Sequence, residues 1–595
     1  MKELKKHISK APEWIPYLLS FIIVFIYFTF YADYVLYYQE KSSLFIFSTG
    51  FLFDNLKQPG GFLLYMGKFL TTFFYVKAAG ALIIAGIITT TMILVSGIIK
   101  RLADNAKPLA GLAPVISVFP GFALFFLQTD YRFMLFFSLG ILMQTAFIFI
   151  SLKHIRQTRG GLIIIMLTPI WYYLTGSFAA IAFLFLTIFF LSVNLKKHLF
   201  RLALIWMLNL LVFYILKEFI LFQPGKILLT FPLNELIKDY TLIFYSLSVL
   251  IILLPALSLI RSGKGWDISS SKISLITTVF TVTVLILTGG FRFNKKAKEY
   301  FHAEKLFSQG NYDELISYNA ETHTSNILTL FLNNIALCEE GKLDDQLFRF
   351  AQSPDGKTLF LKWEMTGEIL KHGGYFYYVT GMVNEAHRWA YENMVMSGYT
   401  PEGLKMLIKT DLLNGNYRVA AKYINILAKT LFYRQEAIHF KKMVFNDSAV
   451  RDDKELSEES KIRIKNDFFI VSDDPLINVE MVLAKDSLNR AAFEYKMAYL
   501  LLRKDYREIA KELPRFARMG YNHLPVHIEE AVLAITVANR GRMPDTGGLK
   551  ISTGTMNKWT QYLSVLRQYG NDAKAAEPAL RRKFGGTFWY WVFYR

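Results

Sequence analysis

Long apolar runs in the first half of the chain are the feature that most restricts its fold. A helix needs roughly 20 mainly apolar residues to cross the hydrocarbon core of a bilayer, and by that measure the sequence predicts about nine spans. An all-α transmembrane bundle is therefore expected over residues 1–290. The predicted spans are residues 14–38, 76–99, 109–127, 133–152, 161–174, 178–195, 199–222, 240–260 and 273–288.

The composition agrees with a membrane protein and argues against nucleic-acid binding. Of the 595 residues, 53% are hydrophobic, more than soluble domains usually contain. The formal net charge of +19 would indicate a nucleic-acid partner if the basic residues formed one patch. Many of them lie instead in short connectors between apolar runs, so no nucleic-acid partner is expected.

Positive charge alternates between successive connectors, and this pattern predicts the orientation of the spans. Lysine and arginine near span ends remain in the cytoplasm. We therefore expect the N-terminus inside and, after an odd number of spans, the second half of the chain in the periplasm. The protein is then a multi-pass protein of the bacterial inner membrane. The basic connectors hold Lys2, Lys5, Lys6, Lys10, Lys100, Arg101, Lys107, Lys153, Arg156, Arg159, Lys196, Lys197, Arg201, Arg261, Lys264 and Lys272.

The first outer connector, residues 37–75, has the composition of a loop on the membrane surface. Asp33 and Glu40 near its start are seven residues apart, nearly two helical turns, so a continuing helix presents both carboxylates on one face. Two amphipathic segments follow, separated by the Gln-Pro-Gly-Gly sequence at residues 58–61. We expect these segments to lie at the lipid–water boundary.

The second half of the chain has the pattern of a separate helical domain. From Phe291 onward charged residues are frequent and apolar residues recur at helical spacing, which predicts a domain over residues 291–595. Tight Gly-Asn-Tyr turns place Gly310 and Gly415 at helix ends, where glycine adopts the left-handed conformation without strain. Such helix pairs predict a periplasmic α-solenoid of tetratricopeptide type with degenerate repeats.

Charged residues are rare inside the predicted spans and gather at their outer ends, among them Asp130, Arg132 and Lys217. The chain has an acid beyond the first span, a long first outer connector, an acid between the third and fourth spans, and an outer C-terminal domain. This arrangement resembles the C-type glycosyltransferases over the first half, although lone acids stand where that superfamily has paired acidic motifs. The resemblance implies an enzyme that takes sugars from polyprenyl-phosphate carriers.

The resemblance also implies a role for each candidate residue. Asp33 or Glu40 is the base that deprotonates an acceptor hydroxyl, and Asp130 assists it or holds a divalent metal. Arg132 and Lys217 face the phosphate of the lipid-linked sugar. The sequence does not specify the metal, because it contains no HExxH or CxxC ligand motif.

Each candidate residue also has a purely structural interpretation. Helices that leave a bilayer acquire polar residues at their ends, which accounts for Asp33 and Glu40. Asp130 and Arg132 fit an ordinary polar turn, and Lys217 fits an interfacial anchor. The alternative function is then a non-catalytic, membrane-anchored scaffold whose repeat domain binds a periplasmic protein. A lipid or solute carrier is less favoured, because ion-coupled carriers usually keep carboxylates at membrane depth.

Four stretches of sequence carry a second resemblance, which spans nearly the whole chain. They are YYQEKSSLFIFSTGFL, QPGGFLLYMGKFLTTFF, GMVNEAHRWAYENMV and LPVHIEEAVL. These stretches resemble an uncharacterised family of multi-pass proteins of Bacteroidetes bacteria. The resemblance implies a location in the cell envelope and brings no activity with it.

Overall fold

The structure is a computed structural model that describes residues 12–103, 110–155, 157–259, 270–364, 367–464 and 468–595. Every regular element in those ranges is a helix, which confirms the predicted all-α fold class. The chain divides into two compact units. The first comprises Met1–Lys298 with Lys429–Phe432, and the second comprises Glu299–Ala428 with Tyr433–Arg595.

The first unit is built from long apolar helices and a few short ones. A helix satisfies its backbone hydrogen bonds internally, which is the condition for stability in lipid. The α-helices of this unit, in chain order, are Ile15–Ile26, Asp33–Ser42, Thr49–Leu56, Gly61–Thr72, Lys77–Leu102, Ala113–Gln128, Leu135–His154, Thr158–Thr175, Ala179–Ile215, Gly225–Thr230, Lys238–Leu253 and Ser270–Arg292.

Among the described residues, six helices are long and apolar enough to cross a membrane, fewer than the nine spans predicted. A seventh is added if Ile15–Tyr31 and Asp33–Ser42, which are bent by 74° relative to each other, form one span. The protein is therefore consistent with a multi-pass membrane protein. The six helices are Lys77–Leu102, Leu135–His154, Arg159–Val193, His198–Leu221, Lys238–Leu257 and Lys272–Arg292.

The prediction of nine spans is too high by this measure because three of the apolar runs are short. The third predicted span becomes Ala113–Gln128, a helix of only 16 residues. The fifth and sixth both lie in Arg159–Val193, a stretch of 35 residues. A break divides that stretch at Gly176, whose φ of 60° and ψ of −138° lie outside the helical region.

At one end of the first unit, helix ends that border the basic connectors contact one another. The Nζ of Lys100 lies 2.5 Å from Glu13, and Arg201 donates to the carbonyl of Ile155 at 2.9 Å. Further contacts join Arg101 to Phe149 and Ser274 to Pro12. Part of the basic set lies outside the described residues or side chains, namely Lys2, Lys5, Lys6, Lys10, Lys107, Arg156, Lys196, Lys197, Arg261 and Lys264.

At the other end of the first unit, the first outer connector meets the break in Arg159–Val193 at two glycines, Gly60 and Gly176. The backbone N–H of Gly60 donates to Tyr173 at 2.9 Å, and the N–H of Ser177 donates to Phe231 at 2.9 Å. A Cβ added to Gly60 would lie 3.2 Å from the Cα of Gly176, and both glycines have positive φ, 87° and 60°. Glycine at both positions therefore permits the close approach of the first outer connector to the break in Arg159–Val193.

Two short helices, Thr49–Leu56 and Gly61–Thr72, form the middle of the first outer connector. Ser48 caps the first of them, since its Oγ accepts from the backbone N–H three residues later at 3.2 Å. The second packs closely on the bundle, because a Cβ added to Gly67 would lie only 2.6 Å from the Cβ of Phe136. The connector is thus held against the end of the spans.

The second unit consists of shorter amphipathic helices, each of which buries one face against its neighbours. The first of these helices, Lys295–Ser308, begins among the last residues of the first unit, which ends at Lys298. The α-helices are Lys295–Ser308, Tyr312–Thr322, Ile327–Glu339, Leu343–Gln346, Gly367–His372, Gly374–Val379, Val383–Ser397, Pro401–Leu413, Tyr417–Leu427, Arg434–Lys441, Asp447–Asp452, Ser457–Ile462, Pro475–Lys485, Arg490–Arg503, Tyr506–Glu512, Pro514–Arg518, Val526–Ala538, Thr553–Gln568, Ala573–Phe584 and Phe588–Tyr594.

Local turns in the second unit follow the predicted pattern, and consecutive helices pack in order. Gly310 and Gly415 have φ of 70° and 72°, the left-handed conformation that was predicted. Val383–Ser397 packs on Pro401–Leu413, which packs on Tyr417–Leu427. Neighbour-on-neighbour packing of this kind is the rule in helical repeats.

Other contacts in the second unit join residues far apart in the sequence. The backbone N–H of Phe348 donates to Nε2 of His527 at 3.2 Å, and Asn489 donates to the carbonyl of Thr380 at 3.0 Å. In an open solenoid each repeat contacts only its neighbours. The packing of the second unit therefore does not confirm the predicted α-solenoid with degenerate repeats.

Candidate functional site: a charged rim

The helix that carries Asp33 starts at a bend in the chain. The first apolar helix continues as a π-helical turn, Tyr27–Tyr31, and the backbone leaves the helical region at Ala32, with φ −109° and ψ 35°. Asp33 is then the first residue of Asp33–Ser42, where the exposed backbone N–H groups of a helix N-terminus favour a negative charge. The bend of 74° directs this helix away from the preceding one.

Asp33 is paired with a lysine from the next long helix. Its carboxylate forms an ion pair with Nζ of Lys77, the first residue of Lys77–Leu102. The side chain of Asp33 is 20% exposed and that of Lys77 is 51% exposed. The pair therefore links the two ends of the first outer connector at a partly accessible position.

Glu40 occupies a different environment from Asp33. It is only 6% exposed, on the same helix. The preceding residue, Gln39, holds this part of the helix in place, since its amide donates to the carbonyl of Phe133 at 2.9 Å and accepts from the N–H of Leu135 at 3.1 Å. Glu40 is thus a buried carboxylate, whereas Asp33 lies at the surface.

Asp130 is held by two arginines. Nε of Arg132 lies 3.3 Å from its Oδ1, and Nη2 of Arg292 lies 3.5 Å from its Oδ2. The backbone N–H of Arg132 also donates to Oδ1 at 3.1 Å. Asp239 approaches Arg132 at 3.9 Å from the start of another apolar helix. The Asp130 carboxylate therefore lies where three parts of the chain meet, those that carry Arg132, Arg292 and Asp239.

The two arginines are fixed cations. The hydrogen bond that the Arg132 guanidinium donates to the Asp130 carboxylate raises the pKa of Arg132, so this guanidinium stays charged at any physiological pH. Arg292 donates from Nε to the hydroxyl of Thr129 at 3.2 Å and lies over the ring of Phe126 at 4.6 Å. An anionic ligand at this rim would meet positive charge already held in place.

A chain of contacts connects the Asp33 and Asp130 regions. The hydroxyl of Tyr34, next to Asp33, accepts from the backbone N–H of Asn294 at 3.2 Å. Two residues before Asn294, Arg292 pairs with Asp130. Both acids therefore lie at the same end of the spans. We call the set Asp33, Lys77, Asp130, Arg132 and Arg292 the charged rim.

Lys217 is not brought to these residues. It forms an ion pair with the adjacent Glu218, and both side chains are about 40% exposed, at 40% and 42%. Among the described residues, Lys217 makes no other ion pair within 4 Å. The structure thus joins Arg132 with Asp130 and leaves Lys217 with a local partner.

Sequence reasoning missed Lys77 and Arg292. A signal for both was present, because each is a basic residue at the end of an apolar run that lies away from the basic connectors, where their pattern predicts little positive charge. A cation at that position is explained most simply by an acidic partner nearby.

A second pair that sequence reasoning missed is Lys68 and Glu235. Burial lowers the pKa of Lys68 and raises the pKa of Glu235, and the charge of each residue opposes the pKa shift of the other.

The charged rim does not fit the divalent metal that the sequence analysis allows. Its acids already accept from lysine and arginine side chains. Among the described residues, the one group of three His, Cys, Asp or Glu side chains whose ligand atoms lie within 4.8 Å of one another is Glu304, Glu368 and His372, in the second unit. There Nζ of Lys371 lies 2.6 Å from Glu304 and supplies the positive charge.

Comparison with known proteins yields one family. A family model described as a family of unknown function (DUF6057) matches residues 10–595. No curated protein and no solved structure matches the chain. The match covers nearly the whole sequence and assigns no role to any residue.

Proposed function

Because this chain belongs to DUF6057, a family of unknown function, its activity has to be inferred from its own residues, and we propose that it is a glycosyltransferase-like protein of the bacterial inner membrane. Its substrate is a sugar linked to a polyprenyl-phosphate carrier, used at the periplasmic face. The charged rim carries the proposal: Asp33 follows the first apolar helix, Asp130 follows the third, and both lie at one end of the spans beside fixed cations.

The rim offers the groups that such a transfer needs. An acceptor oxygen attacks the anomeric carbon of the sugar, and its proton passes to the Asp33 carboxylate. The bond between the anomeric carbon and the phosphate oxygen breaks, and the phosphate leaves with the electron pair. Arg132 and Arg292 stabilise the charge that develops on the phosphate. Asp130 positions both arginines, and the buried Glu40 has no direct part.

The same proposal places the N-terminus in the cytoplasm and, after an odd number of crossings, the second unit on the opposite side of the membrane. The two sets of helix ends support it, because Glu13, Lys100 and Arg201 meet at one end, while the charged rim forms at the other. The positive connectors belong to the first set, which favours a cytoplasmic location. The second unit is then periplasmic, and its helical repeats are related to the tetratricopeptide type.

Replacement of the rim acids by their amides tests the activity. Asp33→Asn removes the base and should lower sugar transfer by about 10²-fold or more, and Asp130→Asn should lower it through misplaced arginines. Asp54→Asn is the control, since Asp54 is an exposed acid of the same connector paired with Lys57. The measurements are the cell-surface glycans and the pool of lipid-linked sugar. Unchanged glycans at normal protein level in both rim variants would reject the enzyme.

One observation favours the second candidate function, a non-catalytic membrane-anchored scaffold for envelope assembly. Both accessible acids of the rim already have cationic partners, Lys77 for Asp33 and Arg132 with Arg292 for Asp130. Ion pairs of this kind also fasten connectors together without chemistry. In that case the second unit binds a periplasmic protein, and the rim variants change stability and leave glycans intact.

A further inference from the structure

Five helices of the second unit bring acidic and tyrosine side chains to one place. Glu339 ends Ile327–Glu339, and Glu459 lies in Ser457–Ile462. Lys409, from Pro401–Leu413, forms an ion pair with Glu455, which precedes the helix of Glu459. We call Glu339, Glu455, Glu459 and Lys409 the acidic cleft. The tyrosines beside it are Tyr312, Tyr375 and Tyr378, whose hydroxyls interact electrostatically with these acids.

Contacts to backbone carbonyl groups hold the parts of the cleft together. The guanidinium of Arg463 donates to the carbonyl of Leu413, which ties the end of Ser457–Ile462 to the end of Pro401–Leu413. A Cβ added to Gly381 would lie 2.4 Å from the carbonyl oxygen of Ile462, so the turn after Tyr378 also packs on this helix. The cleft is therefore formed by the fold of the second unit rather than by exposed loops.

Negative charge in the cleft exceeds positive charge. Three carboxylates face one lysine, which leaves two negative charges when all are ionised. Among the described residues, neither Glu339 nor Glu459 has an ion-pair partner within 4 Å, whereas neighbouring acids have their own lysines. Glu340 lies 3.4 Å from Lys342, Glu458 lies 2.6 Å from Lys461, and Glu402 lies 3.4 Å from Lys405.

Two buried polar atoms at the cleft lack a hydrogen-bond partner among the described residues. They are Oε2 of Glu459, a residue that is 5% exposed, and the hydroxyl of Tyr378, which is 6% exposed. A buried polar group without a partner costs about 1–3 kcal/mol, so such atoms are usually paired with protein groups, ordered water or a ligand. Glu339, in contrast, is exposed, so the cleft is open at one side.

We propose that the acidic cleft binds an organic cation, the ammonium or guanidinium group of a lysine or arginine side chain or of a free amine. The acids supply the negative charge, and the unpartnered atoms of Tyr378 and Glu459 supply acceptors. A compact metal ion fits less well, because the three acids are not among the groups whose ligand atoms cluster within 4.8 Å. This inference is independent of the proposed transferase activity.

Binding should become tighter as pH rises. Glu339 is exposed as a residue, but the surrounding protein partly desolvates its carboxyl group and the neighbouring acids add to the effect, which raises its pKa to about 7; burial and Glu339 raise the pKa of Glu459 to about 8. Both acids therefore lose their protons between pH 6 and 9, while an alkylammonium remains charged. A bound cation favours the ionised acids and releases protons. The titratable and charged groups that face the cleft are Tyr312, Glu340, Tyr375, Tyr378, Glu402, Lys409, Glu455 and Glu458.

The experiment is calorimetric titration of the full chain in detergent with four probes. They are a tripeptide of lysine, the same peptide with acetylated side chains, putrescine as a free amine, and calcium chloride. The variants are Glu459→Gln and Glu339→Gln, and the matched control is Glu458→Gln, an acid of the same short helix that is 70% exposed. Helix content by circular dichroism checks the fold of each variant.

The lysine peptide or putrescine should bind to the wild type, and the acetylated peptide should not. Glu459→Gln and Glu339→Gln should each weaken binding by about tenfold or more, and Glu458→Gln by less than about twofold. Tighter binding of the lysine peptide would identify a lysine side chain as the source of the cation, and tighter binding of putrescine would identify a free amine. Binding of calcium alone, equal loss in the Glu458 control, or no binding of either amine at pH 8 would overturn the proposal. Glu339→Gln keeps the test valid if Glu459→Gln unfolds, because Glu339 is exposed.

Discussion

Nη2 of Arg292 lies 3.5 Å from Oδ2 of Asp130, and this contact joins the end of the last apolar helix to the loop after Ala113–Gln128. Asp130 is 16% exposed and Arg292 is 26% exposed, so both groups have lost much of their hydration. A partly buried arginine needs an anion, and a carboxylate with two oxygens accepts from two arginines at once. The rim therefore depends on this pair, whatever its chemistry.

Exchange of the two charges separates catalysis from structure. Arg292→Asp places two carboxylates side by side and should lower the free energy of unfolding by about 1–3 kcal/mol. The double variant with Asp130→Arg restores an ion pair and should recover most of that loss, as measured by thermal unfolding in detergent. Sugar transfer should stay low in the double variant, because the arginine and the acid have changed places. Full recovery of glycans along with stability would support the scaffold instead.

The orientation of the spans predicts which positions react from outside the cell. In a Cys338→Ala background, which removes the single cysteine, Asp54→Cys should react with a membrane-impermeant maleimide on intact spheroplasts. Lys153→Cys, from a basic connector, should react only after the membrane is opened. Both side chains are exposed, so the difference reports sidedness rather than burial. The opposite labelling pattern would place the charged rim in the cytoplasm and exclude the periplasmic proposal.

Glu530 is expected to be essential for the stability of the second unit. Its fully buried carboxylate accepts from the backbone N–H of Phe588 at 2.7 Å and from Nδ1 of His527 at 2.9 Å. Glu530→Ala leaves buried donors unpaired and should lower the free energy of unfolding by about 3–5 kcal/mol. Proteolysis of the C-terminal helix under increasing urea measures this. Glu577→Gln, near the hydroxyl of Tyr590 at 2.8 Å, should cost less than about 1 kcal/mol.

Asp344 should make the second unit less stable as pH rises. It is 2% exposed, neither carboxylate oxygen has a hydrogen-bond partner among the described residues, and burial beside Glu494 raises its pKa well above the ordinary 3.8. The folded state therefore binds this proton more tightly than the unfolded state, so the contribution is largest below about pH 4 and is lost as pH rises. Asp344→Asn, whose amide does not ionise, should remove that dependence.

Cys338 reports this effect directly, because it is buried and interacts with the same acids. At pH 8 its thiol in Asp344→Asn should react with a disulfide reagent roughly tenfold more slowly than in the wild type, since the stabilised core opens less often. Asp345→Asn is the control; its carboxylate accepts from Val526 at 2.7 Å and is not the buried group. Equal rates in Asp344→Asn and the wild type at pH 8 would show that Asp344 does not destabilise the core. Groups that face Asp344 are Cys338, Asp345, Arg490, Glu494 and Tyr521.

Local chemistry made several features predictable. Apolar runs identified most of the long helices, and the Gln-Pro-Gly-Gly sequence separated Thr49–Leu56 from Gly61–Thr72. Gly310 and Gly415 have the expected left-handed conformation because a glycine at a helix end meets no steric penalty. The count of spans was not predictable from hydropathy alone, since the 74° bend and the break at Gly176 depend on packing against other helices.

The candidate site shows the same division. The sequence indicated Asp33, Asp130 and Arg132 as charges at one end of the spans, but it did not indicate that Lys77 neutralises Asp33. Glu40 shares a helix with Asp33, yet it is buried, because Gln39 ties that helix to the start of Leu135–His154. Lys217 matched the charge pattern and lies with Glu218 instead.

By itself the sequence determined that the chain is helical, that its first half suits a membrane, and that basic connectors alternate with connectors poor in positive charge. These properties depend on residue type and spacing along the chain, which act over one or two helical turns. The tertiary structure alone decided which charged groups meet. It pairs Arg292 with Asp130 and Lys77 with Asp33, and it brings Glu339 and Glu459 to the acidic cleft. Such pairs join residues from separate helices, and the relative rotation of packed helices follows from the shapes of their side chains rather than from any periodic pattern.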